Sequence, residues 1–172
     1  MEDVSSLEEA SPTENALSHV APEGGVQMVD VSTKSDAPRT ALAAGRVLIG
    51  EEAFRQIEEE TLKKGDVLTV AQIAGITGAK LTSRLIPLCH SVQINGVDVE
   101  LSLAEEDFAV EVRAFAKSTG PTGVEMEALT AVNVAALTVY DMCKSVTKEI
   151  EIANVRLLAK TGGQSGDYRR EE

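Results

Sequence analysis

The stretch from Gly120 to Lys148, GPTGVEMEALTAVNVAALTVYDMCKSVTK, constrains this chain most, because from Ala128 to Tyr140 it contains no Asp, Glu, Lys or Arg. Leu129, Val132, Ala136, Val139, Cys143 and Val146 recur at alternating steps of three and four, the spacing of one helix face. The other faces are nearly charge-free as well. A helix tolerates that only where water is excluded from most of its circumference, as between a sheet and another subunit. One long buried helix is therefore predicted, with its charges at the two ends: Glu125 and Glu127 before the apolar run, Asp141 and Lys144 after it.

Each end admits two readings. Thr122 and Glu125 have capping-box spacing, and acids in a first turn suit the helix dipole, so Glu125 is either a cap or a site residue. Asp141 stands against the dipole at the C-terminal end. Lys144 lies three residues on, over the same face, so the two form either a structural ion pair or an acid/base pair. Glu127 and Asp141 are fourteen positions apart, on a similar face but about 21 Å apart along a straight helix. A small substrate cannot touch both on one chain. If both serve one chemistry they come from different subunits, which makes an oligomer part of the expectation.

A length of 172 residues with 43% hydrophobic content predicts a single domain with a real core. No apolar run of membrane length and no signal-peptide pattern occurs, so a soluble, unexported, cytoplasmic chain is expected. Cys89 and Cys143 form no CxxC and no zinc spacing, which suits a reduced compartment and argues against a metal site. The net charge of −12 is unevenly spread: Glu2, Asp3, Glu8, Glu9, Glu14 and Glu23 precede residue 26 with no Lys or Arg among them, leaving −6 for the rest. Residues 1–25, rich in Ser, Pro and Glu, read as a disordered acidic tail, 26–167 as the folded domain and 168–172 as a C-terminal tail.

Along the domain, residues 26–31 suggest a short strand and 32–44 a loop holding Pro38 and Arg39. Residues 46–60 read as an amphipathic helix carrying Val47, Phe54 and Ile57, stopped near Gly65, a residue able to adopt the left-handed conformation. Asp66 is the expected N-cap of a second helix running to about Arg84. Pro87 disfavours helix at Ile86, so the chain turns there towards Cys89 and His90. In isolation Cys89 reads as a small core residue and His90 as a hydrogen-bonded strand-edge histidine. Strict alternation over 97–104 and 110–117 predicts an antiparallel hairpin joined at Glu105 to Asp107, and 149–159 a final strand. The sum is an α+β fold, helices on one face of an antiparallel sheet. The glycine-rich run after Lys160 is either an anion-wrapping loop or a frayed end.

No GxxxxGK[ST] loop and no GxGxxG after a strand is present, which gives no support to a P-loop NTPase or a Rossmann enzyme. What remains is a set of acid/base groups, His90, Glu125, Glu127, Asp141 and Lys144, with cations Arg39, Lys64 and Lys160 at segment ends. Cations recognise phosphates, and carboxylate–lysine pairs tune proton affinity. The residues therefore point to an anionic, phosphorylated small molecule undergoing proton transfer.

Several blocks go further. LIPLCH at 85–90, TGVEMEALTAV at 122–132, VAALTVYDMCK at 134–144 and VRLLAKTGG at 155–163, with KKGDVLTVAQIAGI and MVDVS, closely resemble the cyclic pyranopterin monophosphate synthase (MoaC) family of molybdenum cofactor biosynthesis. The resemblance spans residues 26–167 and omits the acidic tail. It implies a lyase that converts 3′,8-cyclised dihydro-GTP to cyclic pyranopterin monophosphate with loss of pyrophosphate. It also implies a ferredoxin-like fold, and a homohexamer built as a trimer of dimers with sites at a dimer interface. No cofactor, nucleic acid or membrane partner is implied. Asp141, Lys144 and Lys64 match the family's catalytic positions. Leu88, Cys89, His90, Met126, Glu127, Glu125, Arg39 and Lys160 match its substrate-binding ones. Two rivals remain in view: a thiol enzyme using Cys89 with His90, whose side chains would diverge on a strand, and a non-catalytic nucleotide-binding module of the same fold.

Overall fold

The computed structural model describes residues 24–171. The chain divides into two compact units, Met1–Asp30 and Val31–Glu172. Of the acidic tail only Gly24 and Gly25 are described; the rest of that expectation lies outside the described residues. Residues 26–31 form no strand beyond a single bridge residue at Val26, so the short strand expected there is corrected.

The second unit runs β1 (Ala37–Leu48), α1 (Gly50–Glu58), α2 (Val67–Lys80), α3 (Thr82–Leu85), β2 (Ile94–Ala104), β3 (Ala109–Gly120), α4 (Glu125–Cys143), β4 (Glu151–Thr161) and β5 (Tyr168–Arg169). The five strands make one antiparallel sheet in the order β2-β3-β1-β4-β5. Its centre is β1, the segment read as a loop and the start of a helix. Ala, Arg and Leu are good helix formers, and APRTALAAGRVL lacks the polar alternation of a half-exposed strand. Pairing on both edges overrides that propensity: Ala41, Ala43 and Val47 are fully buried between β3, β4 and the helices. Gly45 is required there, because a Cβ would stand 2.8 Å from Val132 Cγ1.

The expected first helix is accordingly shorter, starting at Gly50 with φ +73° and ending at Glu58. It stops through left-handed Glu60 rather than Gly65; the Thr61 N–H reaches the Gln56 carbonyl at 3.0 Å, the closing bond of a Schellman-type end. Asp66 does cap α2, its carboxylate accepting from Thr69 N at 3.0 Å. The hairpin joint falls at Glu105–Asp107, as the alternation requires.

Both α2 and α4 lie on the same sheet face, α4 over β1, β3 and β4, and α2 over β2 and alongside α4. Small residues set their spacing. Gly75 and Gly78 face Ala131, Ala135 and Val134, and a Cβ on Gly78 would meet Val134 Cγ2 at 2.7 Å and its Cβ at 2.8 Å. Gly78→Val is therefore expected to cost about 1–3 kcal/mol through overpacking. That corresponds to a melting temperature lowered by about 2–12 °C. A thermal melt by circular dichroism checks it; an unchanged midpoint would contradict so close a contact.

Candidate functional site

The helix predicted from Gly120 to Lys148 is α4, with Val132, Ala136, Val139 and Cys143 buried along the expected stripe. Being continuous, it holds its two charged ends apart by about 21 Å from Glu127 to Asp141.

At the N-terminal end the cap is Val124, with no side-chain cap bond, so the capping box from Thr122 to Glu125 does not form. The Glu125 carboxylate turns instead to Lys160 at the end of β4, Oε1 to Nζ 3.0 Å. Room for it comes from Gly123, where a Cβ would stand 1.8 Å from Glu125 Oε2. Both partners line a 280 Å3 cavity with Arg39, Lys34, Thr122 and the glycine-rich loop at 163–165. Arg39, only 5% exposed, forms its frame: Nε donates to the Gly120 carbonyl at 3.2 Å, Nη2 to that of Pro121 at 3.3 Å, and Nη1 to that of Gly162. The glycine at 162 lets the loop close, because its φ is +82° and a Cβ would collide with the Pro38 carbonyl oxygen.

Glu127 is 2% exposed, and burial pushes its carboxyl above the ordinary range; its own backbone N–H opposes that, and neighbouring Glu125 adds to it. The turn bearing Leu88, Cys89 and His90 comes to this end too. Ile86 is extended before Pro87, and Cys89 N donates to the Ile86 carbonyl at 3.1 Å, closing a turn with proline at its second position. All three residues are half-buried, as is Met126. The Cys89 thiol is pushed up by burial, then by the charges of Glu127 and Glu125. A nucleophilic cysteine needs the reverse. Cys89→Ser is expected to hold turnover within about threefold of wild type, where loss of a nucleophile would abolish it; steady-state rates decide.

At the other end, Asp141 lies between two ammonium groups. Lys144 Nζ is 2.5 Å from Oδ1 and Lys64 Nζ 3.2 Å from Oδ2, while Lys64 also donates to the Asp141 carbonyl at 2.5 Å. These cations offset the unfavourable position of a carboxylate at a helix C-terminus. Lys144, then Lys64, hold the Asp141 carboxyl below its usual range, and Asp141 in turn raises Lys144. All three side chains are exposed, and the trio carries one net positive charge. Such a cluster can accept a phosphate while its carboxylate exchanges a proton. Buried Cys143 nearby is pushed up to about 11 by desolvation and stays a thiol.

Thus Arg39, Glu125 and Lys160 share one cavity, Cys89 and Glu127 stand beside it, and Lys64, Asp141 and Lys144 form a separate cluster. Lys34 escaped the sequence reading because a lone lysine in VSTKSD carries no spacing signal; only the return of β1 beside β3 brings it to the cavity. Among the described residues no group of three or more His, Cys, Asp or Glu is placed to hold a metal ion.

The profile of the MoaC family matches residues 28–163, a span containing both clusters. The chain belongs to the MoaC family. It is 64% identical over 155 residues to the cyclic pyranopterin monophosphate synthase of Salinibacter ruber, covering 90% of this chain and 91% of that one. Identity is 54% over 156 residues with the protein of that name from Heliobacterium modesticaldum, covering 91% and 98%. With the mitochondrial one of Arabidopsis thaliana it is 55% over 154 residues, covering 90% of this MoaC chain and 57% of the plant protein.

Proposed function

We propose that this chain is a cyclic pyranopterin monophosphate synthase, a lyase of molybdenum cofactor biosynthesis that acts on 3′,8-cyclised dihydro-GTP and releases pyrophosphate. The observation that carries the reading is the 64% identity to a synthase across nearly the whole of both chains, both charged clusters included.

The rearrangement opens a purine-derived ring and closes a pyrazine, so several protons move. Asp141 is the proposed acid/base, with Lys144 beside it to set its proton affinity. Lys64 stabilises charge on the phosphate during cyclisation, when a P–O bond to the leaving pyrophosphate breaks as the cyclic ester bond forms. Leu88, Cys89, His90, Met126, Glu127, Glu125 and Lys160 hold the substrate, and Arg39 holds the walls. Because one chain carries the two clusters about 21 Å apart, each active site takes the Glu127 end from one copy and the Asp141 end from another. A trimer of dimers, a ferredoxin-like classification and a cytoplasmic setting complete the proposal. With α1–α3 counted as one crossover and the short β5 left aside, the element order is β-α-β-β-α-β, which supports that classification. Among the described residues no helix is long and apolar enough to cross a membrane.

Incubating purified protein with purified cyclised dihydro-GTP tests the function, following pyrophosphate release and, after oxidation, a fluorescent pterin. Both signals are expected to rise together. Substrate binding without either signal would overturn the synthase reading in favour of a binding module.

A further inference from the structure

The sheet has a second face, and it is not featureless. Leu42 alternates with core residues Ala41 and Ala43, and Arg113 with core residues Val112 and Ala114, so both project away from the helices. Beside them the C-terminal segment folds back along β4: Tyr168 and Arg169 pair with Lys160 and Ala159, and Arg170 N donates to the Leu158 carbonyl at 2.8 Å. The result is a 770 Å3 groove lined by Leu42, Arg113, Leu158, Tyr168, Arg169 and Arg170. That volume lies within the range of small-molecule sites. The segment forming one wall begins beyond residue 163, where the family match ends.

The charge balance of the groove is one-sided. Of its two other charged lining residues, Lys160 is paired with Glu125, and Asp167, whose Oδ1 accepts from Gly162 N, keeps its negative charge. Arg113, Arg169 and Arg170 make no ion pair among the described residues, although Glu100 stands opposite Arg113 in the register. Three guanidinium groups without an ion pair, against the single carboxylate of Asp167 in the same lining, leave the groove with an excess of positive charge in a chain of net charge −12. Guanidinium forks match phosphate oxygens two at a time, and Tyr168, 40% exposed, belongs to the same lining.

We propose that this groove is a second anion site, taking a small molecule that bears a di- or triphosphate. The shared chemistry could be supplied by inorganic pyrophosphate or by the triphosphate of a nucleotide. Binding is read directly, so the proposal stands or falls separately from the synthase reading.

The test titrates the full chain with pyrophosphate, and separately with GTP, by calorimetry at about 0.15 M salt, where long-range charge effects are screened beyond about 8 Å. Three proteins are compared: wild type, the triple variant Arg113→Gln, Arg169→Gln, Arg170→Gln, and the double variant Lys64→Gln, Lys144→Gln. Wild type is expected to show two equivalents per chain. The triple variant should lose one while keeping its melting temperature and turnover, and the double variant should lose the other. A triple variant that binds as wild type, or a wild type with a single equivalent lost in the double variant, would overturn the proposal. Tyr168→Ala separates the sources: weaker GTP binding with unchanged pyrophosphate binding assigns the nucleotide, and unchanged binding of both assigns pyrophosphate.

Discussion

Asp141→Asn is expected to leave the fold intact and to lower turnover by about a thousandfold, the middle of the range for removing a general acid/base. Stability should barely change, because the Asp141 side chain is 59% exposed on the last turn of α4 and exposed ion pairs contribute little. Asn keeps the shape and one hydrogen-bond acceptor but cannot take or give the proton. It also leaves Lys64 and Lys144 facing each other without the carboxylate between them. The sign of the pH dependence follows from the lowered Asp141 carboxyl. Its small stabilising contribution is present above the unfolded carboxyl value and is lost as pH falls through the folded one, so the slight gap between wild type and variant closes in acid. Pyrophosphate release at neutral pH gives the rate, and a melt gives the stability. Retention of most activity would remove Asp141 from the chemistry.

The second large effect is expected at Arg39. Three of the five N–H donors of Arg39 go to the carbonyls of Gly120, Pro121 and Gly162, so its first role is to hold the cavity's frame. Those bonds tie the turn entering α4 to the loop leaving β4, the two walls that hold Glu125 and Lys160 together. Arg39→Met is expected to cost about 2–4 kcal/mol, because buried carbonyls lose charge-assisted partners. In melting temperature that is about 4–16 °C. Arg39→Lys separates the roles. An ammonium on a flexible stem cannot serve three acceptors in a planar fan, so the lysine variant should also melt early and bind substrate poorly. Normal stability with retained binding would make Arg39 a simple charge in the pocket.

Much of this was legible in the sequence where one element decides its own form. The charge-free run made α4, alternation on either side of one short joint made the β2–β3 hairpin, and Asp66 marked the start of α2, each within one continuous stretch of chain. β1 was illegible, because a central strand of alanines declares itself only through partners at both edges. The capping box misled for a related reason: Glu125 had a better partner in Lys160, thirty-five residues away, than in its own turn. The site residues were visible as types and positions, but their grouping was not. Lys64 meets Asp141 across 77 positions and Arg39 meets Gly120 across 81. No local spacing encodes either.

In the proposed shared site, the two distant ends of α4 act together by coming from different copies. Co-expressing Glu127→Gln and Asp141→Asn chains in equal amounts, and purifying the mixed oligomers, tests it most directly. Each variant alone should be nearly inactive. Random assembly gives a site with both native groups about one time in four, so the mixture should recover about a quarter of wild-type turnover. A mixture no more active than its parents would contradict the shared site.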